Sequence, residues 1–148
     1  MTTAAGAFAA IQARATSQIN GLPLYWQDEE NNDLPDTPTP FVYFEWITER
    51  GSLEGFGGGR GANLYRNAGE LVGYVFIPMG WGLAEGLTRA ETVAAAFRSY
   101  RDNYISCFAA SVEPLGRGAD MIPPGLSSAV GNYTVVMVLC EMHFDQIG

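Results

Sequence analysis

NLYRNAGELVGYVFIPMGWGLAEGLTRAETVAAAFRSYRD, residues 63–102, decides the fold. Leu71, Val72, Tyr74, Val75, Phe76 and Ile77 form a β-branched and aromatic run that is apolar on both faces. That is the pattern of a central strand covered on two sides. Pro78 ends the run, since proline has no N–H for the ladder, and Gly80, Trp81 and Gly82 then turn the chain. Thr88 and Glu91 stand at the spacing of a capping box, in which each side chain satisfies an orphan N–H. Beyond them Ala90, Val93, Ala94, Phe97 and Tyr100 or Arg101 recur at helical spacing, with Glu91, Arg98 and Asp102 turned elsewhere. The stretch predicts a strand over about residues 64–77 and a helix over about residues 89–102 packed on it.

Around that unit the chain reads as one domain of 148 residues, long enough to bury a core. Hydrophobic content of 47% against 16% charged marks it as globular rather than disordered. A net charge of −8 argues against non-specific binding to nucleic acid or an anionic membrane, which needs clustered cations. All 8 basic residues are arginine. Without lysine there is no P-loop lysine and no Schiff-base chemistry. Cys107 and Cys140 fall in apolar strand-like runs and read as two buried, reduced thiols. No apolar run reaches the length of a membrane span and no charged region precedes the N-terminal alanines, so a soluble, cytosolic product is expected.

The remaining elements follow from local pattern. Thr2 or Thr3 caps a helix over about residues 4–19, with Phe8, Ile11, Ala15 and Ile19 on one face. Residues 22–26 suggest an edge strand, and residues 28–40 an acidic, proline-rich loop carrying Asp28, Glu29, Glu30, Asp33 and Asp36. Its spacing does not match a calcium-loop pattern, and Pro35, Pro38 and Pro40 favour a solvated, extended segment over a cation site. A strand over residues 41–48 leads into a glycine-rich segment, residues 51–62, read as a flexible hairpin tip between two antiparallel arms. Gly57, Gly59 and Ala62 satisfy G-x-G-x-x-A, but a strand follows where a phosphate cradle requires a helix N-terminus. Residues 104–112 read as a strand, 113–131 as a loop, and 132–145 as a final strand. The fold class is α+β: a mostly antiparallel mixed sheet with long hairpin arms, one central amphipathic helix and an N-terminal helix.

Chemistry is sparse. His143 stands alone beside Glu141 and Asp145, with no nucleophile motif to complete a triad, and reads as a surface histidine. One histidine and two separated cysteines do not make a zinc pattern. The sequence predicts no enzyme, no cofactor and no metal.

In plan the chain resembles the tail terminator proteins of long-tailed phages and phage-like gene transfer particles. The resemblance spans the early helix with Leu22-Pro23-Leu24-Tyr25-Trp26-Gln27, the segment at residues 35–42, Arg66-Asn67-Ala68-Gly69-Glu70-Leu71-Val72, and Phe76-Ile77-Pro78-Met79-Gly80-Trp81-Gly82. It implies a virion protein at the head–tail junction, assembled in the host cytoplasm as a homo-oligomeric ring of about six copies. Such a ring caps the major tail tube protein, stops tube growth and meets the head-completion (stopper) protein, while DNA passes through without specific binding. Arg60, Tyr65 and Arg66, beside the glycine tip, and Trp81, in the corner, are the candidate interface residues, since Arg and aromatics are enriched at interfaces. Simple packing or solvent exposure is the alternative for each. Two other functions stay open: another neck or tail-completion protein of the same particle, and a small-ligand or phosphate-binding protein using residues 55–61.

Overall fold

Two strands of fifteen residues, far longer than the rest, set the frame of the molecule. The computed structural model describes residues 2–29, 37–48, 51–55, 58–117 and 132–148. They form α1 (Ala4–Gln18), β1 (Leu24–Trp26), β2 (Phe41–Thr48), β3 (Ser52–Gly55), β4 (Leu64–Pro78), α2 (Leu83–Phe97), β5 (Ser106–Arg117) and β6 (Tyr133–Ile147). The sheet order is β1-β2-β4-β6-β5, with β3 also on β4. Among the described strands only the β1–β2 pair is parallel. The fold is α+β, as the sequence predicts.

β4 occupies the middle of the sheet, and its two apolar faces are both buried. On one face Leu71, Val75 and Ile77 pack with Val136, Val138 and Cys140 of β6 beneath the helices. α2 contributes Ala90, Val93, Ala94 and Phe97, and α1 contributes Ala7, Ile11 and Ala15. On the other face Phe41, Tyr43, Phe76, Tyr133 and Val135 form a second cluster, with Phe41 stacked on Phe76 at 4.6 Å between centroids. Each buried Val, Leu, Ile or Phe among them contributes about 1.5–3 kcal/mol of transfer free energy. β6 alternates in its second half: Val136, Val138, Cys140, Met142 and Phe144 are buried, whereas Glu141 on the other face is exposed and His143 half-buried.

Four expectations are corrected. α2 begins at Leu83, not near Arg89, and Thr88 is no cap: its hydroxyl donates to Ala84 O, one turn back inside the helix. Tertiary contact overrides the capping signal, because Gly86 lies on the buried face against Val136 and Ile77. The helix ends at Phe97 rather than Asp102, since Ser99 N donates to Phe108 O and Cys107 N to Tyr100 O. The Asp102 carboxylate then accepts from the Tyr104 and Ile105 amides, closing a turn.

Pro114 and Gly116, expected to open a loop at residue 113, lie inside β5, with a register shift between them. β5 is the sheet edge, where a missing N–H costs no ladder bond. β5 therefore takes the first residues of the expected loop as far as Arg117, and residues 118–131 lie outside the described residues. The fourth correction is β3, which pairs with β4 inside the segment expected to be a flexible glycine tip. Most of the acidic loop, residues 30–36, also lies outside the described residues. No helix among the described residues is long and apolar enough to cross a membrane.

Two predictions follow from the packing. A Cβ at Gly86 would sit 3.1 Å from Val136 Cγ2. Gly86→Leu should therefore lower stability by about 1–3 kcal/mol in denaturant unfolding, as overpacking does; unchanged stability would show that α2 does not approach the sheet this closely. Burial, with Glu45 adding repulsion, pushes the Tyr43 phenol up to about 12. The folded state thus holds this proton more tightly than the unfolded chain. The resulting stability is complete below the unfolded value, about 10, and lost as pH rises through 12. Melting temperature should fall across that interval, and Tyr43→Phe should blunt the fall.

Candidate functional site

A fifteen-residue strand spans roughly 50 Å, whereas a helix of the same number of residues rises only about 22 Å. Neither helix alone can cover the β4–β6 ladder, which runs in unbroken register from the Pro78↔Tyr133 pair to Leu64↔Ile147. Past the buried Phe144 the ladder continues as residues 64–66 against 145–147, and β3 adds a third strand there. This arm is fastened at several points. Arg66 donates Nε and Nη2 to the two oxygens of Asp145, directly opposite, at 2.8 and 2.9 Å. Asn63 and Gly148 exchange backbone hydrogen bonds at 3.1 Å, and Thr2 N donates to Asp145 O.

The sequence-derived interface residues fall at two ends of the molecule. Arg60 is exposed on the turn preceding β4, Tyr65 is half-buried on the arm, and Arg66 is held in its intrachain ion pair. Arg66 is therefore a fastener of the arm first and a free surface cation second. Trp81 sits beyond the far end of β4, 49% exposed, with the Arg89 guanidinium 5.8 Å from its ring. The arm thus gathers Arg60, Tyr65 and Arg66, and the corner holds Trp81 apart.

Sequence reading missed most of the exposed apolar surface, because single residues in strands and loops carry no period of their own. Leu53 and Ile147 are exposed at the arm end of the sheet and Ile47 nearer its middle, opposite Glu70; Met79 and Leu83 are exposed with Trp81 at the corner. Tyr104 and Phe108 are exposed at the start of β5. A groove of about 700 Å³ runs there, lined by Tyr104, Phe108, Arg101, His143 and the Arg66–Asp145 pair. His143 packs edge-on to Phe108, with ring centroids 4.8 Å apart.

The open face of the sheet is acidic toward its lower half. Glu70 and Glu141 stand directly opposite one another on β4 and β6, an unfavourable like-charge pair. Burial holds the Glu45 carboxyl above its usual range, and its Oε1 has no hydrogen-bond partner among the described residues. The glycine run leads into β4, not into a helix, so the geometry of a dinucleotide fingerprint is not formed. Among the described residues no group of three or more His, Cys, Asp or Glu is placed to hold a metal. Cys107 and Cys140 are both free and buried. Their mutual hydrogen bond, together with burial, pushes the Cys107 thiol well above its usual range.

No family profile and no curated protein matches this chain. Among solved structures, one whose name is only a sequence identifier covers 99% of this chain and 99% of its own, with a TM-score of 0.53 and 15% identity. The likeness extends over the whole fold, and it is a likeness of fold.

The arm yields a further prediction. The Arg66 hydrogen bond holds the Asp145 carboxyl below its usual range. Its contribution is present above the unfolded value, about 4, and lost as pH falls through the lower folded value. Both side chains are partly exposed, so Asp145→Asn should cost under about 1 kcal/mol of global stability. It should nevertheless raise amide exchange at residues 64–66 and 145–147. Exchange unchanged there would show that the ion pair does not fasten the arm.

Proposed function

We propose that this protein is a structural virion subunit that closes into a ring on the end of a phage-type tail tube, ends tube polymerisation and joins the tail to the head-completion complex. The observation that carries the reading is the separation of its exposed apolar surface. Leu53 and Ile147 lie at one end of β4, and Met79, Trp81 and Leu83 at the other, with Ile47 between them opposite Glu70. Unlike patches at opposite ends suit head-to-tail contacts, which close into rings when the rotation permits. The resemblance of the sequence segments to tail terminators supports the same reading. So does the net charge of −8, which would keep a passing duplex from adhering to the channel wall.

Deleting the gene from a producing strain tests it. Electron micrographs should show tubes grown beyond their normal length and detached from heads, with normal particles restored by the wild-type gene. Tubes of normal length that fail to join heads would instead assign the protein to another neck or completion role. Normal, joined particles would overturn the virion reading altogether. A C-terminal tag seen by gold labelling at the head–tail junction is the second expected result.

A further inference from the structure

We infer that the Trp81 corner of one copy docks into the groove between Tyr104 and Phe108 of a second copy. This assignment rests on the self-assembling reading above and names the two surfaces that meet. Trp81, Met79 and Leu83 are 49%, 46% and 58% exposed, a concentrated apolar knob within five residues. The groove, about 700 Å³, is flanked by Tyr104 and Phe108, 51% and 46% exposed. Its volume accommodates an indole and the apolar side chains beside it.

The two surfaces also match in charge. Arg101 lines the groove and makes no ion pair among the described residues. The groove's carboxylates are already engaged: Asp145 by Arg66, and Asp102 by the Tyr104 and Ile105 amides. A guanidinium facing the indole gains a cation–π contact, and aromatic and arginine side chains together form the usual anchors of interfaces. Glu85, 40% exposed in its side chain, meets Arg89 through Oε1 alone, so its second oxygen stands on the knob for Arg101 to meet.

Both surfaces are held in place before any contact forms, which lowers the entropy cost of binding. Tyr104 stands on the Asp102 turn, closed by hydrogen bonds of 2.7 and 2.8 Å and by the Tyr100 hydroxyl donating to Asp102. The corner is fixed by Trp81 N donating to Pro78 O and Met79 N to Asn132 O. One chain cannot satisfy itself. The groove lies at the register of Ala68 and His143, and ten residues of β4 separate it from Pro78, roughly 30 Å along the strand. The contact therefore joins two copies, and repeated head to tail it closes the ring.

Cysteine crosslinking tests the pairing in the full-length protein. A chain carrying both Ala84→Cys and Asn103→Cys, exposed positions that border the knob and the groove and leave Trp81, Tyr104 and Phe108 in place, should give a ladder of covalent oligomers with a short bismaleimide. An equimolar mixture of the two single variants should stop at covalent dimers, and either single variant alone should match the wild-type control. Separately, Trp81→Ala should weaken self-association at least tenfold by sedimentation while leaving the thermal melt in place. No ladder from the double variant, where the wild type still assembles, would overturn this pairing and leave the ring reading intact. Dimers from Ala84→Cys alone would overturn it too, by showing a two-fold contact between corners. A wild type that stays monomeric both in solution and on tail tubes would overturn the ring reading and the pairing together.

Discussion

The β4–β6 ladder is the constraint on which the rest of this molecule depends. Its fifteen consecutive pairs run from Pro78↔Tyr133 to Leu64↔Ile147 without a register shift. At the upper end both faces are buried, by the helices on one side and the aromatic cluster of Phe41, Phe76 and Tyr133 on the other. Extended chain gains length about twice as fast per residue as helix. The ladder therefore outruns its cover, and its lower end must persist on cross-strand pairing alone. The Arg66–Asp145 bridge, the β3 strand and the terminal Asn63–Gly148 hydrogen bonds all lie there.

A subunit built this way keeps apolar surface that its own core cannot use. Trp81 and Leu83 cannot fold back, because Gly80 and Gly82 hold positive φ and point the corner outward before α2 begins. Phe108 cannot enter the core, because it follows the buried Cys107 along the strand and so faces the open side, beside His143. Edges are protected at the same time. β5 carries Pro114 along its length, and Arg98 donates to Ala110 O on that strand. Blunted edges with exposed side-chain anchors favour association through side-chain contacts over strand addition.

Much of the fold was legible because long periodic signals have one physical reading. β2 spans the residues expected, β4 extends only one residue further, and α1 carries the Thr3 cap. The failures cluster where a short local signal competed with packing. Thr88 and Glu91 hold capping-box spacing, yet burying Gly86 against Val136 and Ile77 draws an earlier turn into the helix. The pattern through Tyr100 reads as helix, yet the Asp102 carboxylate offers the backbone a turn and releases Tyr100 to pair with Cys107. Of the interface candidates, composition singled out Trp81 and the arm residues, but no sequence period marks Tyr104, Phe108 or the groove between them.

Composition and periodicity suffice for the α+β class, the central two-sided strand, the antiparallel arms and the absence of lysine chemistry. These depend on composition and on alternation along one strand, which any partner arrangement must respect. Only the tertiary structure decided that Arg66 is bound to Asp145, that β3 joins the sheet and that Arg101 shares a groove with Phe108 and His143. Each of those depends on which residues from distant parts of the chain come to lie opposite one another. Register across 79 residues of chain, as between Arg66 and Asp145, is set by the packing of the whole sheet. No local pattern carries it.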